Sequence, residues 1–181
     1  LCHSSTVSGL ANTLGSGAMT NPIGDVFLAD MIFITGSNTT ESHPVMGAFI
    51  RQAVAKGTRL IVADPKRIPI AEDADLYLQI KPGTSVALTN GMLHVIFRDG
   101  LEDREYMEKH TIGGEELRKT VEKYTPEFTA EICGLDPADI ELAAHMYAEA
   151  DAAYIAYAMG ITQHLNGTHN VVSMSNLALA T

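Results

Sequence analysis

The sequence predicts an α/β protein with a Rossmann-like, doubly wound and mostly parallel sheet that carries helices on both faces. Two observations support this fold class. Short apolar runs alternate along the chain with longer segments in which apolar residues recur every three or four positions. In addition, 181 residues, 46% of them hydrophobic, are enough for one domain around a single core.

The first half of the chain gives the clearest order of elements. Residues 31–36 (MIFITG) form a short apolar run that is typical of a strand covered on both faces. Residues 45–57 carry one apolar stripe and predict a helix, and residues 59–64 (RLIVAD) predict a second strand. A strand, a helix and a strand in this order indicate a right-handed parallel crossover.

The same alternation continues toward the C-terminus. We predict a strand at 75–80 (DLYLQI), a helix at 85–97, a strand at 152–160 (AAYIAYAMG) and a helix at 170–180. A helical insert of about residues 101–150 separates the last two strands, because Thr125 and Asp136 each precede a proline suited to a first helical turn. The prediction is therefore one α/β domain over residues 1–181, with a helical insert.

Composition excludes some classes of function. The net charge of −10 and the absence of a basic cluster argue against a nucleic-acid partner. No apolar run is long enough for a membrane span, and none is expected in this chain. Cys2 and Cys133 lie far apart, which favours a reducing compartment and a cytoplasmic protein. The chain begins at Leu1 and stops inside an apolar periodic stretch, so we expect a piece of a longer protein, whose targeting signals lie elsewhere.

Four polar loops follow the predicted strands, and parallel sheets bind ligands beyond the carboxyl ends of their strands. In order, the loops read GSNTTESHP, DPKR, KPGTS and MGITQHLNGTHN. Helix capping is the better explanation of any one of them taken alone. Four such loops at one edge fit a long, phosphate-bearing nucleotide better than four unrelated caps.

Asp64 ends the second predicted strand, where an acid commonly accepts hydrogen bonds from a ribose. A cap ahead of Pro65 is an equally good interpretation of this residue alone. The GxGxxG fingerprint is absent from the sequence, which argues against an ordinary NAD-binding domain.

The adjacent Cys2 and His3 are candidates for a reactive centre. A thiolate can act as a nucleophile with a distant histidine or as a soft metal ligand, and ligation is the stronger alternative because no nucleophile motif surrounds it. Three histidines in the polar loops are further candidate ligand contacts: His43, His164 and His169. The remaining histidines and the second cysteine are predicted to be structural: His94, His110, His145 and Cys133.

Seven motifs in order carry a resemblance to a known family: CHSS, GSGAMTN, GSNTTESHP, VADPKR, KPGTSVAL, YTPE and AMGITQHLNGTHN. They resemble the molybdopterin oxidoreductase family and, within it, the catalytic subunits of formate dehydrogenases. The resemblance covers essentially the whole chain. The last motif and the Cys-His pair carry most of its specificity.

The resemblance implies a molybdenum or tungsten bis(molybdopterin guanine dinucleotide) cofactor. It implies that Cys2 is a protein ligand of the metal, and that His3 assists the oxidation of formate to carbon dioxide. The implied partners are formate, the remaining domains of the same subunit with an upstream iron-sulfur cluster, and electron-transfer subunits. Because those domains are needed, the 181-residue chain alone is expected to be inactive.

The resemblance also implies a set of dinucleotide-binding residues: Gly36, Asn38, Glu41, Ser42, Asp64, Lys66, Gly83, Ser85, Met159, Gly160 and Gln163. Lys66 and Ser85 depart from the family pattern, which commonly has an arginine and an acid at these positions. A lysine offers a point charge instead of a planar fork. Two alternatives keep the scaffold: a molybdopterin-dependent reductase of the nitrate, arsenate or polysulfide type, and a non-catalytic nucleotide-binding or interaction domain. The histidine after Cys2 favours formate dehydrogenase.

Overall fold

A computed structural model describes residues 1–181 and contains one four-stranded sheet. The strands are β1 (Met31–Thr35), β2 (Arg59–Ala63), β3 (Leu76–Leu78) and β4 (Ala153–Tyr157), in the order β3-β2-β1-β4. All pairs are parallel, which confirms the predicted fold class. Thr35 pairs with both Ala63 and Tyr157, so the carboxyl ends of neighbouring strands lie in one row.

The order of the strands creates a reversal beside β1. The chain adds β2 and then β3 on one side of β1, whereas β4 pairs on its other side. Loops that leave β1 and β4 therefore depart in opposite directions and leave a crevice between them. In doubly wound sheets this is the place where ligands bind.

Helices account for most of the remaining chain. They are α1 (Ser4–Leu14), α2 (Thr39–Ser42), α3 (Pro44–Ala55), α4 (Ser85–Asp99), α5 (Arg104–His110), α6 (Gly114–Val121), α7 (Pro126–Cys133), α8 (Pro137–Ala148), α9 (Met159–Thr162) and α10 (Gly167–Ala180). Short 3₁₀ helices lie at Ile23–Phe27 and Pro69–Glu72. None of these helices combines the length and apolar character that crossing a membrane requires.

The sheet is covered on both faces. Met31 and Phe33 of β1 belong to a core cluster with residues of α4, α7, α8 and α10. Ile32 and Ile34 point the opposite way and belong to a second cluster with α3 and the 3₁₀ segments. Because both faces of β1 are buried, the strand is apolar at every position from 31 to 34 instead of alternating.

The predicted boundaries differ from the structure at several elements. The third strand ends at Leu78 instead of residue 80, because the amide of Lys81 bonds the carbonyl of Cys133 and turns the chain toward α7. The fourth strand ends at Tyr157, and Met159 begins α9. The predicted helix at 45–57 spans Pro44–Ala55, and the insert between α4 and β4 contains α5 to α8. The sequence did not predict α1.

His145 on α8 contacts two carboxylates, one that follows its own helix and one on α4. Its Nδ1 lies 2.9 Å from Oε1 of Glu149, the residue that follows α8, and its Nε2 lies 3.0 Å from Asp99 Oδ2 on α4. The two carboxylates, Glu149 foremost, raise the pKa of His145 above its usual value. Arg98, which also bonds Glu141, helps to lower the pKa of Asp99 to about 2.

We expect the stabilising contribution of His145 to depend on pH. Because its pKa is raised on folding, the contribution is complete below the unfolded-state pKa of about 6.5 and is lost as pH rises through the folded-state value. His145→Gln should therefore lower the urea concentration at the midpoint of unfolding, and by more at about pH 5.5 than at about pH 9. An equal loss at both pH values would show that the imidazolium does not stabilise the fold.

Candidate functional site

The candidate site lies at the carboxyl ends of the strands, where the four predicted loops begin. Three gaps between neighbouring strands separate the loop after β4 from the loop after β3, or roughly 14 Å. A ligand that contacts all four loops must therefore be extended. A dinucleotide has this shape, whereas a compact metabolite does not.

Two glycines hold the loop after β1 and the loop after β4 together at the reversal. The amide of Gly160 donates to the carbonyl oxygen of Gly36 at 2.9 Å. A Cβ on Gly160 would lie 2.6 Å from the Cα of Gly36, and Gly36 has a φ of +57°. Only residues without side chains allow this approach, so the glycines predicted as ligand contacts also fix the floor of the crevice.

Asn38 and Glu41 are brought together in the loop after β1. The Asn38 amide donates to Glu41 Oε2 at 2.6 Å, while Asn38 Oδ1 is buried without a hydrogen-bond partner. The hydroxyls of Thr35 and Thr40 are likewise buried and unpartnered. Three unsatisfied polar atoms around one strand end are costly unless a polar ligand or water completes them. Ser42 is exposed at the end of α2.

Cys2 and His3 lie beside the loop that follows β4. Cys2 Sγ is 3.6 Å from His3 Nδ1, and both residues are exposed. The hydroxyl of Thr162 donates to the carbonyl oxygen of Cys2 at 3.1 Å, across 160 residues of sequence. His3 and Met159 both line a cavity that begins at this point. The structure therefore joins the N-terminal pair to the late loop.

Asp64 and Lys66 lie at the end of β2, farther from the reversal. Asp64 Oδ1 accepts a hydrogen bond from the backbone N–H of Lys66 at 2.9 Å. This agrees with the alternative interpretation of Asp64 as a cap ahead of Pro65. Partial burial raises the pKa of the Asp64 carboxyl, and the amide and charge of Lys66 offset part of that rise. Because Oδ2 makes no hydrogen bond within the chain, it remains free to accept one from a ligand.

The loop after β3 is farthest from Cys2. Gly83 is exposed with a φ of +83°, whereas Ser85 is the first residue of α4 and only 5% exposed. The loop is held by the hydrogen bond from Thr84 Oγ1 to the Lys81 carbonyl. Gly83 is thus open to a ligand, but Ser85 offers little surface.

The loop after β4 exposes all three of its predicted ligand contacts. Met159 and Gly160 form the first turn of α9 and are exposed, and Gln163 is exposed just after that helix. His164 Nε2 lies 2.8 Å from the Gly160 carbonyl oxygen, so an N–H at Nε2 donates to that oxygen and stabilises the loop. His169 is exposed on the first turns of α10.

A cavity of about 950 Å³ extends from the reversal along the outer edge of β4. Polar residues that include His3, Ser37 and His43 line the part beside the reversal, and most of the lining residues of the whole cavity are hydrophobic. A smaller groove of about 290 Å³ between α5, α6 and α10 contains none of the predicted site residues. The polar part of the larger cavity therefore belongs to the candidate site.

The residues predicted to be structural make local contacts outside the candidate site. His94 Nδ1 lies 3.1 Å from the Val121 carbonyl, and the His110 ring packs on Tyr106. Cys133 is fully buried, and this burial raises the pKa of its thiol.

Three threonines at the candidate site were not predicted from the sequence: Thr35, Thr40 and Thr162. Thr35 closes an otherwise apolar strand at its carboxyl end, which is a usable signal for a ligand contact. Thr162 gave no signal, because its partner Cys2 is remote in sequence.

Comparison with known proteins identifies the family of this sequence and fold. The molybdopterin oxidoreductase family model matches residues 1–181. The F420-dependent formate dehydrogenase 1 subunit alpha of Methanococcus maripaludis is 50% identical over 181 residues, which are 100% of this chain and 27% of that protein. Formate dehydrogenase H of Escherichia coli is 40% identical over 179 residues, which are 99% of this chain and 25% of that protein.

The fold is also found in a solved structure. Acetylene hydratase from Pelobacter acetylenicus superimposes with a TM-score of 0.82 at 29% identity, over 97% of this chain and 25% of that one. The chain thus spans about a quarter of the length of the proteins it matches.

Proposed function

The chain belongs to the molybdopterin oxidoreductase family, and on this premise we propose that it forms part of the active site of a formate dehydrogenase catalytic subunit. One observation carries the proposal: Thr162 holds the Cys2 carbonyl against the loop at the reversal of the sheet. A soft thiol and an imidazole therefore stand next to a surface suited to a dinucleotide. The two relatives that are named formate dehydrogenases support the choice of substrate.

The residues at this edge fit the dinucleotide arm of a molybdopterin guanine dinucleotide. Buried Asn38 Oδ1 lacks a donor, and the hydroxyls of Thr35 and Thr40 lack partners, which matches a ligand rich in hydroxyl and phosphate groups. Gly36 and Gly160 keep side chains out of the crevice. Asp64 at the end of β2 is suited to ribose hydroxyls, Lys66 to a phosphate, and Gly83 and Gln163 to the ends of the ligand.

Cys2 and His3 would act at the metal end. The exposed Cys2 thiolate supplies a soft ligand for molybdenum or tungsten. His3 Nδ1 lies 3.6 Å from Cys2 Sγ, and the residue lines the cavity through which formate would enter. A molybdenum or tungsten ion held by Cys2 would supply the two-electron acceptor that the oxidation of formate to carbon dioxide and a proton requires. In this proposal, His3 orients formate or receives that proton.

The rest of the site comes from the full-length protein. A second pterin-binding domain and an iron-sulfur cluster that carries electrons away complete this proposal, together with electron-transfer subunits and a cytoplasmic location. The 181-residue chain then acts as one α/β domain of the subunit.

Formate oxidation by the full-length protein tests the proposed function. We expect formate-dependent reduction of a viologen dye, no nitrate reduction, and molybdenum or tungsten together with guanine nucleotide in the purified protein. The isolated 181-residue chain should show no formate-dependent dye reduction. Nitrate reduction without formate oxidation would assign the other reductase class, and a metal-free, nucleotide-binding full-length protein would assign a non-catalytic domain.

A further inference from the structure

We propose that Thr162 is a positioning residue that sets where Cys2 stands relative to the dinucleotide loop. The inference rests on the proposed function for its consequence, and on the hydrogen bonds of this chain for its geometry. Thr162 is the last residue of α9 and only 4% exposed. Its hydroxyl donates to the Cys2 carbonyl at 3.1 Å.

This hydrogen bond is the only one that links residues 1–3 to a part of the chain beyond α1. The other bonds of these residues are local: Cys2 with His3, the Leu1 carbonyl with Ser4, and the His3 carbonyl with Val7. Within the 181 residues, the Thr162 hydroxyl is therefore the group that ties Cys2 to the late loop by a hydrogen bond.

The Thr162 hydroxyl has a single proton and two acceptors within reach. Met159 Sδ lies 3.5 Å away, whereas the Cys2 carbonyl oxygen lies at 3.1 Å. A carbonyl oxygen is the stronger acceptor of the two. The proton therefore goes to Cys2.

The helix that carries Thr162 is held rigidly in place. Ile161 beside it is fully buried, and its carbonyl accepts the side-chain amide of Asn170 at 2.8 Å. The Thr162 carbonyl packs so closely on Gly167 that a Cβ there would collide with it. Thr162 therefore offers the Cys2 carbonyl a donor at a fixed position.

The same four-residue helix serves both parts of the proposed site. Met159 and Gly160 at its start are proposed dinucleotide contacts, and Thr162 at its end holds the proposed metal ligand. The short helix α9 therefore sets the spacing between the dinucleotide contacts and Cys2. A shift of Met159 is transmitted to Thr162 through three peptide units.

Replacing the hydroxyl without changing the shape of the side chain tests this role. In full-length Thr162→Val, hydrogen exchange of the amides at residues 4–8 should rise about fivefold, because loss of one hydrogen bond frees the start of α1. The amides of α10 and the content of metal and guanine nucleotide should not change. The kcat for formate should fall about tenfold with little change in KM.

Two variants serve as controls. Thr162→Ser keeps the donor and should restore both exchange and kcat, whereas Thr111→Val removes a comparable hydroxyl bond in the helical insert and should alter neither. Unchanged exchange at residues 4–8 in Thr162→Val would overturn the inference, as would an equal increase in α10. Retention of turnover by Cys2→Ala would instead overturn the proposed function and leave the exchange result standing.

Discussion

Full-length protein carrying Cys2→Ala is expected to lose formate oxidation by about a thousandfold or more, equivalent to about 4 kcal/mol of barrier. The reason is that Cys2 is the exposed thiol at the reversal of the sheet, where Thr162 fixes its backbone. Its side chain makes no contact that the core depends on, so folding should be unaffected. Turnover with formate and a viologen dye measures the loss, and circular dichroism checks the fold.

Cys133→Ala is the matched control, because it removes the other thiol of the chain. Cys133 is buried between α7 and the loop after β3, so its loss should lower stability but keep turnover. Equal turnover in Cys2→Ala and the original protein would contradict the proposed role of Cys2.

Gly160→Ala is expected to have the second-largest effect, on both stability and cofactor content. The new Cβ would lie 2.6 Å from Gly36 Cα and 2.7 Å from Gly36 O, and neither backbone atom can rotate away. The two loops must then separate, at a cost of about 1–3 kcal/mol in the free energy of unfolding. Because the crevice between them widens, guanine nucleotide content should fall as well.

Gly24→Ala provides the comparison for that variant. A Cβ on Gly24 meets no atom within 4 Å, so the free energy of unfolding and the nucleotide content should stay unchanged. If Gly160→Ala matched Gly24→Ala in urea denaturation and in released nucleotide, the close approach of the loops would not matter to the site.

The centre of the sheet was predictable because β1 and β2 are buried on both faces. β1 and β2 read as continuous apolar runs, and their boundaries are correct to within a residue. The helix α1 was not predictable from propensity, since its sequence SSTVSGLANTL is rich in serine, threonine and glycine. It forms because Gly9 allows Val171 of α10 to approach to within 2.6 Å of a Cβ position, and that contact depends on the tertiary fold.

The candidate site was predictable in composition but not in detail. Strand-end loops and their glycines follow from the alternation of elements, and Gly36 and Gly160 do meet. The burial of Ser85 could not be foreseen, because it depends on how α4 begins against the neighbouring helices. The bond between Thr162 and Cys2 joins residues 160 positions apart, and no local pattern encodes such a contact.

We propose that Cys2 is the protein ligand of a molybdopterin-bound metal at this edge of the sheet. X-ray absorption at the metal edge of the full-length protein tests it most directly, by comparison of the original protein with Cys2→Ser. We expect the variant to lose one sulfur neighbour of the metal and to gain a lighter one, with metal content retained. Identical spectra for the two proteins would contradict the claim.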